Sequence, residues 1–463
     1  MGALLSFLFA MRKPTLWYPD APAYIDILPS PTIEHANGAA SNGVAQNGVD
    51  KAGKAGLEKV SVRAFVERKV PELQEAFNPT WFLPGGHLQT IYCVIGDFTK
   101  VNPIHYTRKI LTFTDGGSIA VDLAGAPDLP PTTPIVVVCH GLAGGSHESY
   151  VRDTLNPIVA GKEDGGMGWR GMVCNFRGCG GSTLTSSQLY SAGNTDDLRA
   201  ALLYLTTRFP DAPLVGIGFS LGACVLTRYL GEEGEHSRLK AGMVLGCPWD
   251  LVKNGKRLEE NWFIRNTYSK AMGANLSAVV NKHLSSIVSH PLGQSVEKDL
   301  STLFKIRAPT LKTVDTYVTR HLGGPQPPFP FPSADAYYEW ASCHKSILNI
   351  RVPFLAINAD DDPIIVGNML PVEEVKQSPW CVLGVTRGGG HLGWWIRGPI
   401  LQYLRACIED YVPPTDRTAP GWERKNGFIY QIGDRNDIGF HEEAGVEDIE
   451  GAEGEATGIF AGL

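Results

Sequence analysis

Several common signatures are missing from this chain of 463 residues. It has no CxxC pair, no HExxH and no Gly-rich phosphate loop ending in lysine. Those absences remove zinc ribbons, metalloproteases and P-loop nucleotide enzymes. A basic stripe is also missing, and the net charge is −7. Nucleic acid is therefore not an expected partner. The nine cysteines are odd in number and most sit in apolar runs. They read as reduced, buried thiols of a cytoplasmic protein, with no disulfide framework, metal site or cofactor. The N-terminal apolar run, Gly2 to Met11, covers about ten residues, and a bilayer span needs roughly twenty. Met1-Gly2-Ala3-Leu4-Leu5-Ser6 fits an N-myristoylation pattern. Phe7, Leu8 and Phe9, close to Arg12 and Lys13, suit contact with a membrane or lipid-droplet surface. The plainer reading is a frayed or docked terminus.

Composition divides what is present. Residues 1–59 read as the apolar segment plus a disordered linker, because 30–56 are rich in Ala, Gly, Asn and Ser. Residues 433–463 are acidic and Gly/Ala-rich, and are expected to form a flexible tail. The body, 60–432, alternates apolar strands with helical patterns. Residues 109–114 and 118–123 form a predicted hairpin around Asp115-Gly116-Gly117. Residues 135–139, 171–175, 214–218, 241–246, 353–358 and 380–385 read as further strands, most of them continuous enough to be buried on both faces. One helix opens near Asn194-Thr195 with Asp196 and Asp197 in its first turn. Another runs from Leu221 and is expected to close at Gly231. The class is α/β: a mostly parallel central sheet flanked by helices. Between about 248 and 350 the alternation lapses into helical patterns and a Pro-rich piece, Gly323 to Pro332. That stretch is expected to be an inserted cap, with an ordinary helical layer as the alternative.

Three separated motifs carry the chemistry. Gly218-Phe219-Ser220-Leu221-Gly222 follows a strand and opens a helix. Such an elbow needs small residues two positions either side of the serine, where side chains would strike the neighbouring strand and helix. Asn358-Ala359-Asp360-Asp361-Asp362-Pro363 ends a later strand. Spacing alone leaves the acid open between Asp362 and Asp361; Asp362, before Pro363-Ile364-Ile365-Val366, is favoured. Gly388-Gly389-Gly390-His391 completes the chain order Ser, Asp, His, which belongs to the α/β-hydrolase arrangement. His391 is expected to take the Ser220 proton and pass it to the leaving group. His140-Gly141-Leu142-Ala143-Gly144-Gly145-Ser146 follows an early strand. The Leu142 and Leu221 N–H groups are the expected oxyanion hole. His140 reads as a structural residue bonding its own loop. His87 and His147 read as structural too. Arg177-Gly178-Cys179-Gly180-Gly181-Ser182 reads as a loop packed near the site. Trp394 and Trp395 read as core, with an acyl pocket as the second reading.

Together these motifs resemble one branch of the α/β-hydrolases. Its members share segments like Asn78-Pro79-Thr80-Trp81, Gly86-His87-Leu88-Gln89-Thr90, Gly144-Gly145-Ser146-His147-Glu148-Ser149-Tyr150 and Asn175-Phe176-Arg177-Gly178-Cys179. The branch holds bacterial YheT-type hydrolases, animal abhydrolase-domain phospholipase-like proteins and fungal medium-chain fatty acid ethyl ester synthase/esterases. The resemblance implies a Ser220–His391–Asp362 relay. It also implies medium-chain acyl esters or acyl-CoA as substrates, with water or an alcohol as acceptor. The His-x4-Asp acyltransferase signature is absent. A contrasting reading is a non-catalytic lipid-binding or scaffold protein on a hydrolase fold.

Overall fold

The computed structural model describes residues 13–29, 56–76, 83, 85–96, 98, 100–393, 397–435, 437, 439–445 and 447–450. The N-terminal apolar run, nearly all of the linker, Trp394 and Trp395 lie outside them. The strands are β1 (Thr15–Trp17), β2 (Tyr24–Ile27), β3 (Glu58–Ser61), β4 (His105–Phe113), β5 (Ser118–Ala124), β6 (Ile135–Cys139), β7 (Arg170–Asn175), β8 (Leu214–Phe219), β9 (Ala241–Leu245), β10 (Phe354–Ala359), β11 (Cys381–Thr386), β12 (Tyr411–Val412), β13 (Trp422–Lys425), β14 (Phe428–Gln431), β15 (Gly439–Glu442) and β16 (Glu447–Glu450). One sheet runs β1-β11-β10-β9-β8-β6-β7-β5-β4-β15-β14-β13, with β16 also on β4. From β11 to β7 every pairing is parallel. The margins are antiparallel.

The central strands are apolar on both sides because both sides are covered. In β6, Ile135, Val137 and Cys139 join one core, and Val136 and Val138 join the other. This is the alternation a pleated strand imposes. Helices Asp196–Arg208 and Leu221–Glu233 cover the first face. Helices Ser149–Val159 and Gly398–Glu409 cover the second.

Three boundary expectations need correction. The body extends beyond residues 60–432. β1 adds as an edge to β11, and β2 buries Ile25 and Ile27 in a small sheet with β3 and β12. The acidic stretch is not wholly a free tail. β15 and β16 lie antiparallel on β4, supplying partners to an otherwise open edge, and Phe440 is buried. The Leu221 helix runs through Gly231 and stops at Gly234, whose φ is +53°. Gly231 is there for closeness instead: a Cβ would stand 2.4 Å from Ser346 O.

Between β9 and β10 the chain is helical, including Leu251–Glu260, Lys270–Lys282 and Ala334–Ala341. Two five-residue π-helical turns interrupt it, Arg265–Ser269 and Asp315–Thr319. The Pro-rich piece folds onto this region, with Phe329 buried against Trp340.

The loops around the strand ends are held by a buried polar hub. Asp122 on β5 is 0% exposed. Its two oxygens accept from Arg108 Nε and Nη2, both at 2.7 Å, from Ser146 Oγ at 2.5 Å and from Asn175 Nδ2 at 2.7 Å. Asn175 Oδ1 accepts from Ser146 N–H at 2.9 Å, and Arg108 also donates to Gly180 O. The hub thus ties β4, β5 and β7 to both loops beyond. Removing the carboxylate would leave a buried guanidinium without its counter-ion. Asp122→Ala is expected to cost about 3–5 kcal/mol, read as a fall in the urea midpoint.

Candidate active site

The geometry starts at an elbow. Ser220 has φ +49° and ψ −118°, a conformation L-residues rarely adopt. Ser220 N–H donates to Leu245 O at 3.0 Å, which anchors the turn to β9. A Cβ on Gly222 would stand 2.3 Å from Cys139 O, and one on Gly218 would stand 2.7 Å from Gly222 O. Glycine at both places lets β8 and its helix approach closely enough to form the turn.

Ser220 Oγ lies 2.8 Å from His391 Nε2, and His391 Nδ1 lies 2.9 Å from Asp362 Oδ2. A carboxylate only accepts, so Nδ1 carries the proton and Nε2 offers a lone pair to the hydroxyl. All three side chains are buried. Asp362 Oδ1 accepts from Ile364 N–H at 2.7 Å and Ile365 N–H at 3.0 Å, which fixes the carboxylate plane. The neighbouring acids do other things. Asp361 Oδ1 accepts Gly390 N–H at 2.9 Å, and Asp360 pairs with Arg387 near the surface. The arrangement can move a proton from hydroxyl to imidazole while the carboxylate holds the ring.

The histidine loop rests on helix Gly86–Ile95. His391 N–H donates to Thr90 Oγ1 at 2.8 Å, and Thr90 Oγ1 donates to Gly86 O at 2.7 Å. Gly390, at φ +53°, passes so close that a Cβ would stand 2.4 Å from Gly86 O.

The loop after β6 is suspended from two phenols. Gly141 N–H donates to Tyr150 Oη at 2.8 Å, and Ala143 N–H to Tyr190 Oη at 2.9 Å. Burial holds both phenols well above their usual range, so each keeps its proton. No described group accepts from the N–H of Leu142 or Leu221. Leu142 and Leu221 share a cavity wall with Ser220 and His391. Gly180 N–H donates to Gly144 O at 3.2 Å, so the Arg177 loop packs against this segment as expected. His140 is a loop residue: Phe176 N–H donates to its Nε2 at 3.2 Å, and its Nδ1 therefore donates to Gly141 O at 2.7 Å. His87 bonds Tyr268 Oη at 2.9 Å. His147 lies 3.4 Å from Glu148.

The cavity at Ser220 is largely apolar. Leu258, Met272 and Leu276 of the helical insertion line it, as do Tyr337 and Tyr338. All nine cysteines are free. One feature was not visible in their spacing: the sulfurs of Cys224, Cys247 and Cys343 lie within 4.8 Å of one another. None of the three lines the cavity.

A family model described as the alpha/beta hydrolase fold matches residues 134–374. The chain belongs to the α/β-hydrolase family. It is 32% identical over 397 residues to a monoacylglycerol lipase of Saccharomyces cerevisiae, covering 75% of this chain and 85% of the relative. It is 31% identical over 406 residues to medium-chain fatty acid ethyl ester synthase/esterase 2 of the same yeast, covering 74% and 87%. Phospholipase ABHD3 of Homo sapiens is 28% identical over 366 residues, covering 75% and 83%. This hydrolase thus has lipase- and esterase-type relatives. Among its described residues no helix is long and apolar enough to cross a membrane.

Thr90, Tyr150 and Tyr190 were not singled out from the sequence. Thr90 and Tyr150 each close a motif quoted for the resemblance, and their position there was the available signal. Tyr190 carried none.

Burial pushes His140 down to about 4 from 6.5. The folded hydrolase therefore binds this proton less tightly than the unfolded chain. The contribution to stability is full above pH 6.5 and is lost as pH falls from 6.5 through about 4. Between pH 7 and pH 5 it amounts to about 2 kcal/mol. His140→Gln is expected to shrink the change in unfolding free energy between pH 7 and pH 5, read from urea titrations, by about that amount, whatever its stability at pH 7.

Proposed function

We propose that this hydrolase cleaves acyl esters through an acyl-serine on Ser220. The observation that carries the reading is the unbroken hydroxyl–imidazole–carboxylate chain whose serine and histidine line a largely apolar cavity. Ser220 Oγ attacks the ester carbonyl carbon as His391 Nε2 takes its proton. Asp362 accepts from Nδ1 throughout and stabilises the imidazolium. The Leu142 and Leu221 N–H groups donate to the oxyanion, at the positive end of the helix that Leu221 opens. The imidazolium then protonates the departing alcohol, or the thiol when the substrate is an acyl-CoA thioester. Water or an alcohol, deprotonated by the same imidazole, attacks the acyl-serine and releases the acid or a new ester.

The helices between β9 and β10 act as the cap in this scheme, since they line the cavity over the serine. Medium-chain acyl groups are the proposed substrates. The support is an apolar cavity together with a relative named for both making and cleaving medium-chain ethyl esters. The N-terminal run is the proposed contact with a membrane or lipid-droplet surface on the cytoplasmic side.

A fluorophosphonate probe is expected to label the wild type and to leave Ser220→Ala unlabelled. With p-nitrophenyl octanoate, Asp362→Asn should lose roughly 10⁴-fold in kcat, and Asp361→Asn should stay within about tenfold of the wild type. Added ethanol should divert part of the octanoyl group to ethyl octanoate. A wild type that resists the probe and turns over no ester ends this reading.

A further inference from the structure

The wall of the cavity at Ser220 is mostly apolar, but besides Ser220 and His391 it carries the polar side chains of Ser191, Asn254, Asp315 and Thr319. Asp315 lines it at 4% exposure, with no cation against its carboxyl among the described ion pairs. Tyr338 Oη donates to Asp315 Oδ2 at 2.6 Å, and Thr319 supplies a second hydrogen bond. A carboxylate has about four acceptor positions, so two hydrogen bonds leave capacity for another donor. Burial pushes Asp315 up to about 6. Asn254, also 4% exposed, lines the same cavity from helix Leu251–Glu260. Its Oδ1 is buried and accepts nothing among the described residues. A buried acceptor without a donor costs about 1–3 kcal/mol, and a ligand hydroxyl would relieve that cost. Asp315 also opens a π-helical turn, a local widening frequent at functional sites.

We propose that Asp315 and Asn254 form a hydroxyl-recognition subsite, so that the preferred substrates are acyl esters carrying a free hydroxyl. The proposal rests on the ester-hydrolase reading above. Two buried acceptors in an apolar wall select a neutral O–H donor. An alkyl group in its place would leave both acceptors desolvated and unpaired, and sites of that kind reject the analogue strongly. The hydroxyl belongs either to the alcohol portion of the ester or to the acyl chain, and the chemistry at Asp315 is the same for both.

Two isosteric pairs separate these sources. The first is 2-hydroxyethyl octanoate against n-propyl octanoate. The second is ethyl 8-hydroxyoctanoate against ethyl nonanoate. Wild-type kcat/KM is expected to favour the hydroxyl member of one pair by at least roughly tenfold, and that pair identifies the source. Asp315→Asn and Asn254→Leu should each reduce the ratio severalfold. The ratio compares two substrates on one preparation, so general loss of folded enzyme does not move it. Ratios near one in both pairs for the wild type overturn the proposal without any variant. A ratio unchanged in both variants overturns it too. So does octanoylcholine outrunning all four esters with that preference lost in Asp315→Asn, which would mark a cation site instead. Turnover of no ester at all would be a failure of the hydrolase reading, a different result.

Discussion

The backbone of Ser220 is the constraint around which the rest is arranged. Holding φ +49° and ψ −118° costs about 1–3 kcal/mol. The surroundings make any relaxed alternative worse. The Ser220 amide is tied to β9, and Gly218 and Gly222 let the helix lie against the ends of β6 and β8. The result is a hydroxyl lifted off the carboxyl edge of β8 with the Leu221 amide beside it. β8 sits mid-sheet between β6 and β9. The loops leaving β6, β9, β10 and β11 therefore open on the same edge, where parallel sheets place their sites. Ser220, Leu142, Asp362 and His391 meet because the strands run parallel.

Strain at one residue requires rigidity in its partners, and the chain obtains it by bonding side chains to backbone. Thr90 holds the His391 amide. Asp361 holds Gly390, and Asp362 binds two amides of its own loop. Tyr150 and Tyr190 fix the amides either side of Leu142. The donors on either side are thereby occupied, while no described group accepts from Leu142 N–H.

Much of this was legible because it depends on local rules. Continuous β-branched runs marked the doubly covered strands to within about one residue, since burial on both faces leaves no other composition. The elbow was legible because only glycine fits two positions from a buried serine. Spacing left the acid open between Asp362 and Asp361, since adjacent residues differ in direction and not in type, and only the Pro363-Ile364-Ile365-Val366 that follows favoured Asp362. In the structure it is Asp362 Oδ2 that lies 2.9 Å from His391 Nδ1. Gly231 was misread for a related reason: a glycine that ends a helix and one that admits a neighbour look alike in sequence. The strands of the acidic stretch were hidden because a short edge strand such as β16, Glu447-Asp448-Ile449-Glu450, carries the composition of a tail. The Cys224–Cys247–Cys343 cluster arises from three elements meeting in space, and linear spacing holds no trace of it.

The site is assembled from two parts with separate physical jobs. The sheet edge carries Ser220, Asp362 and His391, and its geometry is set by strand register and glycine contacts. The helical insertion supplies much of the walls and is tied to the body through polar links such as Trp249 Nε1 donating to Asn358 Oδ1 at 3.0 Å and Leu189 N–H donating to Leu322 O at 2.7 Å. On the proposed reading, the acyl-serine step belongs to the first part and the choice of substrate and acceptor to the second. An apolar wall excludes water and strengthens every charge interaction behind it. A polar group in that wall is then tolerated only if a ligand satisfies it or the fold does. Tyr338 and Thr319 satisfy Asp315 in part, and nothing described satisfies Asn254 Oδ1. Changes in the insertion should therefore alter which ester reacts while leaving the relay at the sheet edge intact.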